Sequence, residues 1–216
     1  MDEKDMRILV FGDSIAYGSW DAGGGWVERI KRDAHLQTIQ SEGMNKQQVI
    51  NLGISGNTST GILKRLRNEI EARHSANWPF MFIITCGTND QRMEDGIVET
   101  PLDQFEENVK KIIAIAKQYT DNILFIGLPP LAKPSVTLRT SEYSDERIKV
   151  YDEKLQSIVE SSGLPFLPIR QIFEKTGIKG LYCYDDAHPN DKGHELIADT
   201  VGHYLKKKII TTDYST

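Results

Sequence analysis

Cysteine is scarce in this chain: Cys86 and Cys183 are the only two in 216 residues. So few, so far apart, cannot make a disulfide framework, and the fold has to rest on a hydrophobic core. Positive charge is in short supply too. Lys and Arg number 26 against 31 Asp and Glu, a net charge of −5, which argues against nucleic acid as a partner because phosphate binding needs a clustered positive field. The one basic run, Lys206-Lys207-Lys208, reads as the close of a helix, where cations favour the C-terminal dipole. No stretch reaches the ~18 apolar residues of a membrane helix. The charged start from Met1 to Arg7 leads straight into an apolar run without a leader-like segment. A cytoplasmic protein without a membrane span is therefore expected. Also missing are a Gly-Lys-Ser/Thr sequence and Gly-x-Gly-x-x-Gly spacing, so Gly23-Gly24-Gly25 reads as a flexible turn and not as a phosphate cradle.

What is present is ordinary for a globular chain: 39% hydrophobic and 26% charged residues. The length fits one domain over residues 1–216. Strands are expected at Arg7–Gly12, Gln48–Leu52, Phe80–Cys86 and Asn122–Gly127, each a short apolar run ended by turn residues. A fifth, Leu164–Ile169, is weakened by its prolines and belongs at an edge. Helical spacing follows at Trp26–Asp33, after Thr58, after Pro101, over Asp145–Ser161 and over Asp191–Lys207. Strands alternating with helices predict a three-layer α/β/α fold with a flavodoxin-like, five-stranded parallel sheet in the order 2-1-3-4-5. Leu128–Glu142 shows no clear period and is a candidate lid.

In such sheets ligands sit at the carboxyl ends of the strands. The first strand runs into Gly12-Asp13-Ser14, which places the Ser14 hydroxyl at that rim as a candidate nucleophile. Of five histidines, His35, His74, His194 and His203 lie in helical or polar stretches and read as surface residues. His188 has a carboxylate three residues before it, in Asp185-Asp186-Ala187-His188, and spacing of three lets Asp185 return to the imidazole. Gly56 offers a backbone N–H with no side chain in the way, and Asn89 a side-chain amide at the end of the third strand.

Taken together and in this order, Gly-Asp-Ser, Gly56-Asn57, Gly87-Thr88-Asn89-Asp90 and Asp185-x-x-His188-Pro189 closely resemble the four blocks of the SGNH hydrolases, also called GDSL esterases. The resemblance implies a flavodoxin-like fold, no metal and no cofactor. It implies Ser14 as nucleophile, His188 as base and Asp185 orienting it, with an oxyanion hole made by the Ser14 N–H, the Gly56 N–H and the Asn89 side chain. Ile15 stands where many members carry Leu, and Asn57 where Asp is frequent; neither position is catalytic. The partner implied is a small-molecule ester or thioester. Two other readings stay open from the residues alone. One is a metal-dependent phosphohydrolase built on Asp13, Asp90, Asp185, Asp186 and His188, and the other a non-catalytic binding module. Acyl specificity and oligomeric state are not written in these blocks.

Overall fold

In the computed structural model, which describes residues 5–212, the first apolar run forms β1 (Met6–Gly12). It is followed by α1 (Ser14–Tyr17), α2 (Gly25–Gln40), β2 (Gln47–Gly53), α3 (Ser59–Glu71) and β3 (Phe80–Ile84). Two very short strands, β4 (Met93–Glu94) and β5 (Ile97–Val98), precede α4 (Leu102–Ala116) and β6 (Ile123–Ile126). The chain then runs through β7 (Ser135–Leu138), β8 (Ser141–Ser144), α5 (Asp145–Ser161), β9 (Phe166–Leu167), α6 (Ile169–Thr176) and α7 (Asp191–Thr212).

Strands β2, β1, β3, β6 and β9 pair in parallel in that spatial order. Counting only these strands along the chain gives 2-1-3-4-5, the order expected. Successive side chains leave a strand on opposite faces, and the two cores divide accordingly. Leu9, Phe11, Phe82 and Ile84 face α3, α4 and α5, packing with Ile62, Phe105, Val109 and Leu155. Ile8, Val10, Met81 and Ile83 face α2, α6 and α7, packing with Trp26, Phe173, Ile197 and Val201. All five residues of β3 are buried, which is why that strand has no polar residue. Truncating a core ring such as Phe82 to Ala costs about 3–5 kcal/mol by this kind of burial.

The pairing register brings the strand ends to one rim. Gly12 lies opposite Gly53, Phe11 opposite Ile84, and Ile84 opposite Phe125. Gly53 is required there: a Cβ would stand 2.3 Å from the backbone nitrogen of Tyr17. Thr58 caps α3 by accepting from the Gly61 N–H at 3.3 Å, worth about 1 kcal/mol.

The structure corrects several expectations. The candidate lid is not irregular: β7 and β8 form an antiparallel hairpin in a second sheet of order β5-β4-β8-β7. Helix α2 continues to Gln40, well beyond Asp33. Helix α6 was missed because eight residues opened by Pro168 look like an extension of the edge strand. Helix α7 runs to Thr212, so Lys206–Lys208 lies within it and does not close it. The glycine-rich turn is not loose either. Gly18 and Gly25 meet backbone to backbone, and a Cβ on Gly25 would stand 2.4 Å from the Gly18 Cα.

Candidate active site

The rim of the parallel sheet opens into a cleft of about 890 Å³ whose other wall is the β7–β8 hairpin. Ser14, Gly56, Asn89, Asp185 and His188 all line it. The four blocks singled out in the sequence are thus gathered at one place.

Ser14 opens α1 immediately after β1, and Asp13 caps that turn by accepting from the Ile15 N–H at 2.9 Å. The cap holds the serine backbone while leaving its hydroxyl in the cleft. His188 Nε2 lies 2.9 Å from Ser14 Oγ, and His188 Nδ1 lies 2.7 Å from Asp185 Oδ2. These are ordinary hydrogen-bond lengths in a continuous serine–imidazole–carboxylate chain.

Asp185 reaches the imidazole through a turn rather than a helix. Its Oδ1 accepts from the backbone N–H groups of Ala187 at 3.1 Å and His188 at 3.0 Å. A carboxylate bonding backbone two and three residues on is an Asx-type turn. It leaves Oδ2 for the ring. The loop is closed at its base, where the Cys183 N–H donates to the His188 carbonyl at 2.8 Å and Tyr182 pairs with Pro189. Burial pushes the Asp185 carboxyl up, but the bonds from His188 and Ala187 outweigh it and hold it below its ordinary value. It is an anion beside the ring.

Asp186 points elsewhere. Its carboxylate pairs with Lys133 Nζ at 2.5 Å and its carbonyl accepts from the Ala132 N–H at 2.9 Å. It ties the histidine loop to the segment leading into the hairpin, and is more than a solvated loop residue.

Gly56 adopts φ +78°, a left-handed conformation natural to glycine. Neither its N–H nor that of Ser14 donates to another described residue. Asn89 is buried and gripped on three sides. Its Nδ2 lies 3.1 Å from the Asn57 carbonyl and 3.3 Å from Asp13 Oδ2, while its Oδ1 accepts from the Tyr143 hydroxyl at 3.1 Å. The longer contact competes with the cleft for the second amide hydrogen. Burial pushes the Asp13 carboxyl up against the bond it accepts from the Ile15 N–H.

Below Asn89, Asp90 accepts from the Ser59 N–H with both oxygens at 3.0 Å and also takes the Ser59 hydroxyl. Burial raises its carboxyl to about 6 against those bonds. Asp13 and Asp90 are therefore engaged by neighbouring donors beneath the rim. Among the described residues no group of three or more His, Cys, Asp or Glu is placed to hold a metal ion.

One site residue, Tyr143, and one buried residue, His194, escaped the sequence. Tyr143 comes from β8, in the segment whose strands were not recognised. His194 was expected at the surface and is instead fully buried on α7, where Nδ1 accepts from the Trp26 N–H at 3.3 Å. Burial lowers its imidazole to about 4. The remaining three, His35, His74 and His203, are exposed.

The chain is similar to known proteins along most of its length. The chain is 24% identical to an isoamyl acetate-hydrolyzing esterase of Saccharomyces cerevisiae, over 96% of this chain and 87% of the yeast protein. Among solved structures, a lipase/acylhydrolase from Enterococcus faecalis superposes with a TM-score of 0.74 at 24% identity, covering 94% of this chain and 96% of that one. An acetylxylan esterase from Geobacillus stearothermophilus gives 0.70 at 23% identity, covering 93% and 94%. The description that matches residues 10–196, and so spans the serine and histidine blocks together, is that of the GDSL-like lipase/acylhydrolase family; the chain belongs to that family and is a carboxylic ester hydrolase.

Proposed function

We propose that the chain, read as one hydrolase domain, cleaves esters of small acyl groups through an acyl-enzyme formed on Ser14. The observation that carries this reading is the unbroken chain Ser14 Oγ–His188–Asp185, at 2.9 and 2.7 Å. Neutral His188 Nε2 takes the serine proton as Oγ attacks the ester carbonyl. Anionic Asp185 holds the Nδ1–H tautomer and stabilises the imidazolium that forms. The Ser14 and Gly56 N–H groups and the Asn89 amide face the oxygen on which charge develops, a preorganised site that water does not need to rearrange. Collapse of the tetrahedral intermediate breaks the bond to the alcohol oxygen, which receives the proton from His188. Water then repeats the cycle on the acyl-enzyme, releasing the acid.

Small acyl groups are supported by the activities for which two relatives are named, both on acetate esters. A cytoplasmic location is proposed on the two free thiols, Cys86 and Cys183.

The test is an ester panel with a serine-directed phosphonate. The phosphonate is expected to add one mass increment at Ser14 and abolish turnover, with EDTA having no effect. Ser14→Ala is expected to lower kcat by about 10⁶ with an unchanged circular dichroism spectrum. Retention of more than a few per cent of activity would sink the assignment.

A further inference from the structure

We infer that the alcohol half of the ester is an uncharged ring whose flat face rests on Trp20 and Tyr184. This rests on the catalytic assignment above and adds the substrate class to it.

Among the large apolar side chains left exposed in the described residues, only these two line the cleft, at 62% and 83% exposure. They arrive from different places, Trp20 from the loop after α1 and Tyr184 from the residue before Asp185. Their ring centres nonetheless lie 6.3 Å apart with planes tilted by 49°. The indole also stands edge-on to the His188 imidazole at 6.2 Å.

Trp20 is held there against its own backbone preference. Its φ is +66°, a left-handed conformation that costs a non-glycine residue energy. The loop nevertheless maintains it, because Asp21 is locked to Arg29 and to the Gly25 N–H. Strain retained at a ligand-facing position is an observation from which function can be argued. Burying the indole would be the cheaper use of a tryptophan.

The direction of the reaction says which half of the substrate meets these rings. The carbonyl oxygen faces Gly56 and Asn89, and His188 delivers its proton to the departing alcohol oxygen. The alcohol group therefore leaves along the imidazole, and Trp20 and Tyr184 are the side chains beside it. A ring laid flat on one of the pair meets the other at an angle, because their planes are tilted by 49°, and still gains more contact than a linear or branched alkyl chain.

Neither sign of charge dominates the lining. Arg92 is matched by Glu99 at 3.1 Å and Lys133 by Asp186. Glu94 accepts from the Thr140 hydroxyl and keeps its negative charge, and Arg139, at the tip of the β7–β8 hairpin, has the opposite sign. Hydroxyls supply the rest of the polar lining: Ser19 and Ser55, 3.3 Å apart, with Ser135 and Thr137 on the hairpin. A ring with an apolar face and a polar edge suits such a surface.

The experiment holds the acyl group constant. Wild-type full chain, Trp20→Ala, Trp20→Phe and Tyr184→Ala are assayed on the acetates of ethanol, 3-methylbutanol, cyclohexanol, phenol and a methyl glucoside. Comparing each variant with wild type on the same ester cancels intrinsic reactivity. Trp20→Ala is expected to lower the kcat/KM ratio of ring to ethyl ester about tenfold, and Tyr184→Ala severalfold, the scale of a lost aromatic contact. Trp20→Phe is expected to restore most of the ratio. A larger fall for the glucoside than for phenyl identifies a hydroxylated ring, the reverse an aryl one, and both uphold the proposal. An unchanged ratio in both Ala variants, or an equal loss on all five esters, overturns it. In that outcome wild-type turnover and Ser14 labelling persist, which separates this failure from failure of the catalytic reading.

Discussion

In the parallel sheet, β3 and β6 are buried at every position. In the antiparallel sheet, β7 alternates between exposed and half-buried residues. Both sheets contribute to one cleft, but by different means. The parallel strands end in glycine-rich turns that present Ser14, Gly56 and Asn89 from a rigid base. The antiparallel strands present side chains along their length: Val136 and Tyr143, partners across the hairpin, share the face packed on the core, and Thr137 lies on the opposite one. Bond-making chemistry needs the rigidity of strand ends held in register by neighbouring strands. Shape and selectivity tolerate a sheet that is only half buried, because a slightly different wall still encloses a substrate. The lesson is a division of labour between a deep sheet that fixes reacting atoms and a shallow one that shapes the space around them.

If that division is right, the largest losses come from the parallel-sheet rim and its partner loop. Asp185→Asn is expected to lower kcat up to about 10⁴-fold, since the amide favours the wrong imidazole tautomer. Asp186→Asn removes only the partly exposed pair with Lys133 and is expected to change kcat by no more than a few-fold. Matched steady-state kinetics on the two variants decide the point. A crippled Asp186→Asn enzyme would mean that the link to the hairpin segment, and not the rim alone, holds the histidine.

Asn89→Ala is expected to lower kcat about 10²–10³-fold with little change in KM, because the amide acts on charge that appears in the transition state. A change confined to KM would move Asn89 from the reacting atoms to substrate placement.

His194 sharpens the contrast through acid stability. Its folded value of about 4 lies below the unfolded 6.5, so the unfolded chain takes up the proton first. The stability from keeping this ring neutral is complete above pH 6.5 and is lost as the pH falls from 6.5 to 4. The loss is on the order of 3 kcal/mol. Urea unfolding at pH 7.5 and pH 5 is expected to show a smaller stability drop for His194→Gln than for wild type. Equal drops would mean that the buried imidazole is not what makes the packing of α7 on α2 sensitive to acid.

A small effect is expected from the shallow sheet as well. Tyr143→Phe deletes the hydroxyl that bonds Asn89 Oδ1, worth about 1 kcal/mol, and is expected to lower kcat about fivefold with KM unchanged. A loss as large as that of Asn89→Ala would break the division between the two sheets.

The two sheets also differ in how far the sequence discloses them. Runs such as Phe80–Ile84 carry their assignment in composition, because a strand buried on both faces can hold no polar residue. Their order follows from alternation with helices and right-handed crossover. The short strands β4 and β5, two residues each, are too brief for any period to show. In β7 and β8, Ser and Thr alternate with only Val136, Leu138 and Tyr143, too sparse an apolar set to separate a hairpin from a loop. His194 misled for a related reason: its neighbours Gly193 and Glu195 carry no apolar side chain, while its burial comes from Trp26, 168 residues away.

Local chemistry along the chain determined the central strands, the capping of α3 by Thr58 and the identity of the serine, glycine, asparagine and histidine blocks, since each depends on residues within a few positions of one another. The distance of 2.9 Å from His188 to Ser14 joins residues 174 apart, and no local rule sets such a length. The Asx-type turn that aims Asp185, the grip of Tyr143 on Asn89 and the meeting of Trp20 with Tyr184 likewise join groups that become neighbours only when the strands have come into register. Tertiary structure decided these, because the energy that selects them is packing and hydrogen bonding between distant segments, summed over the whole fold.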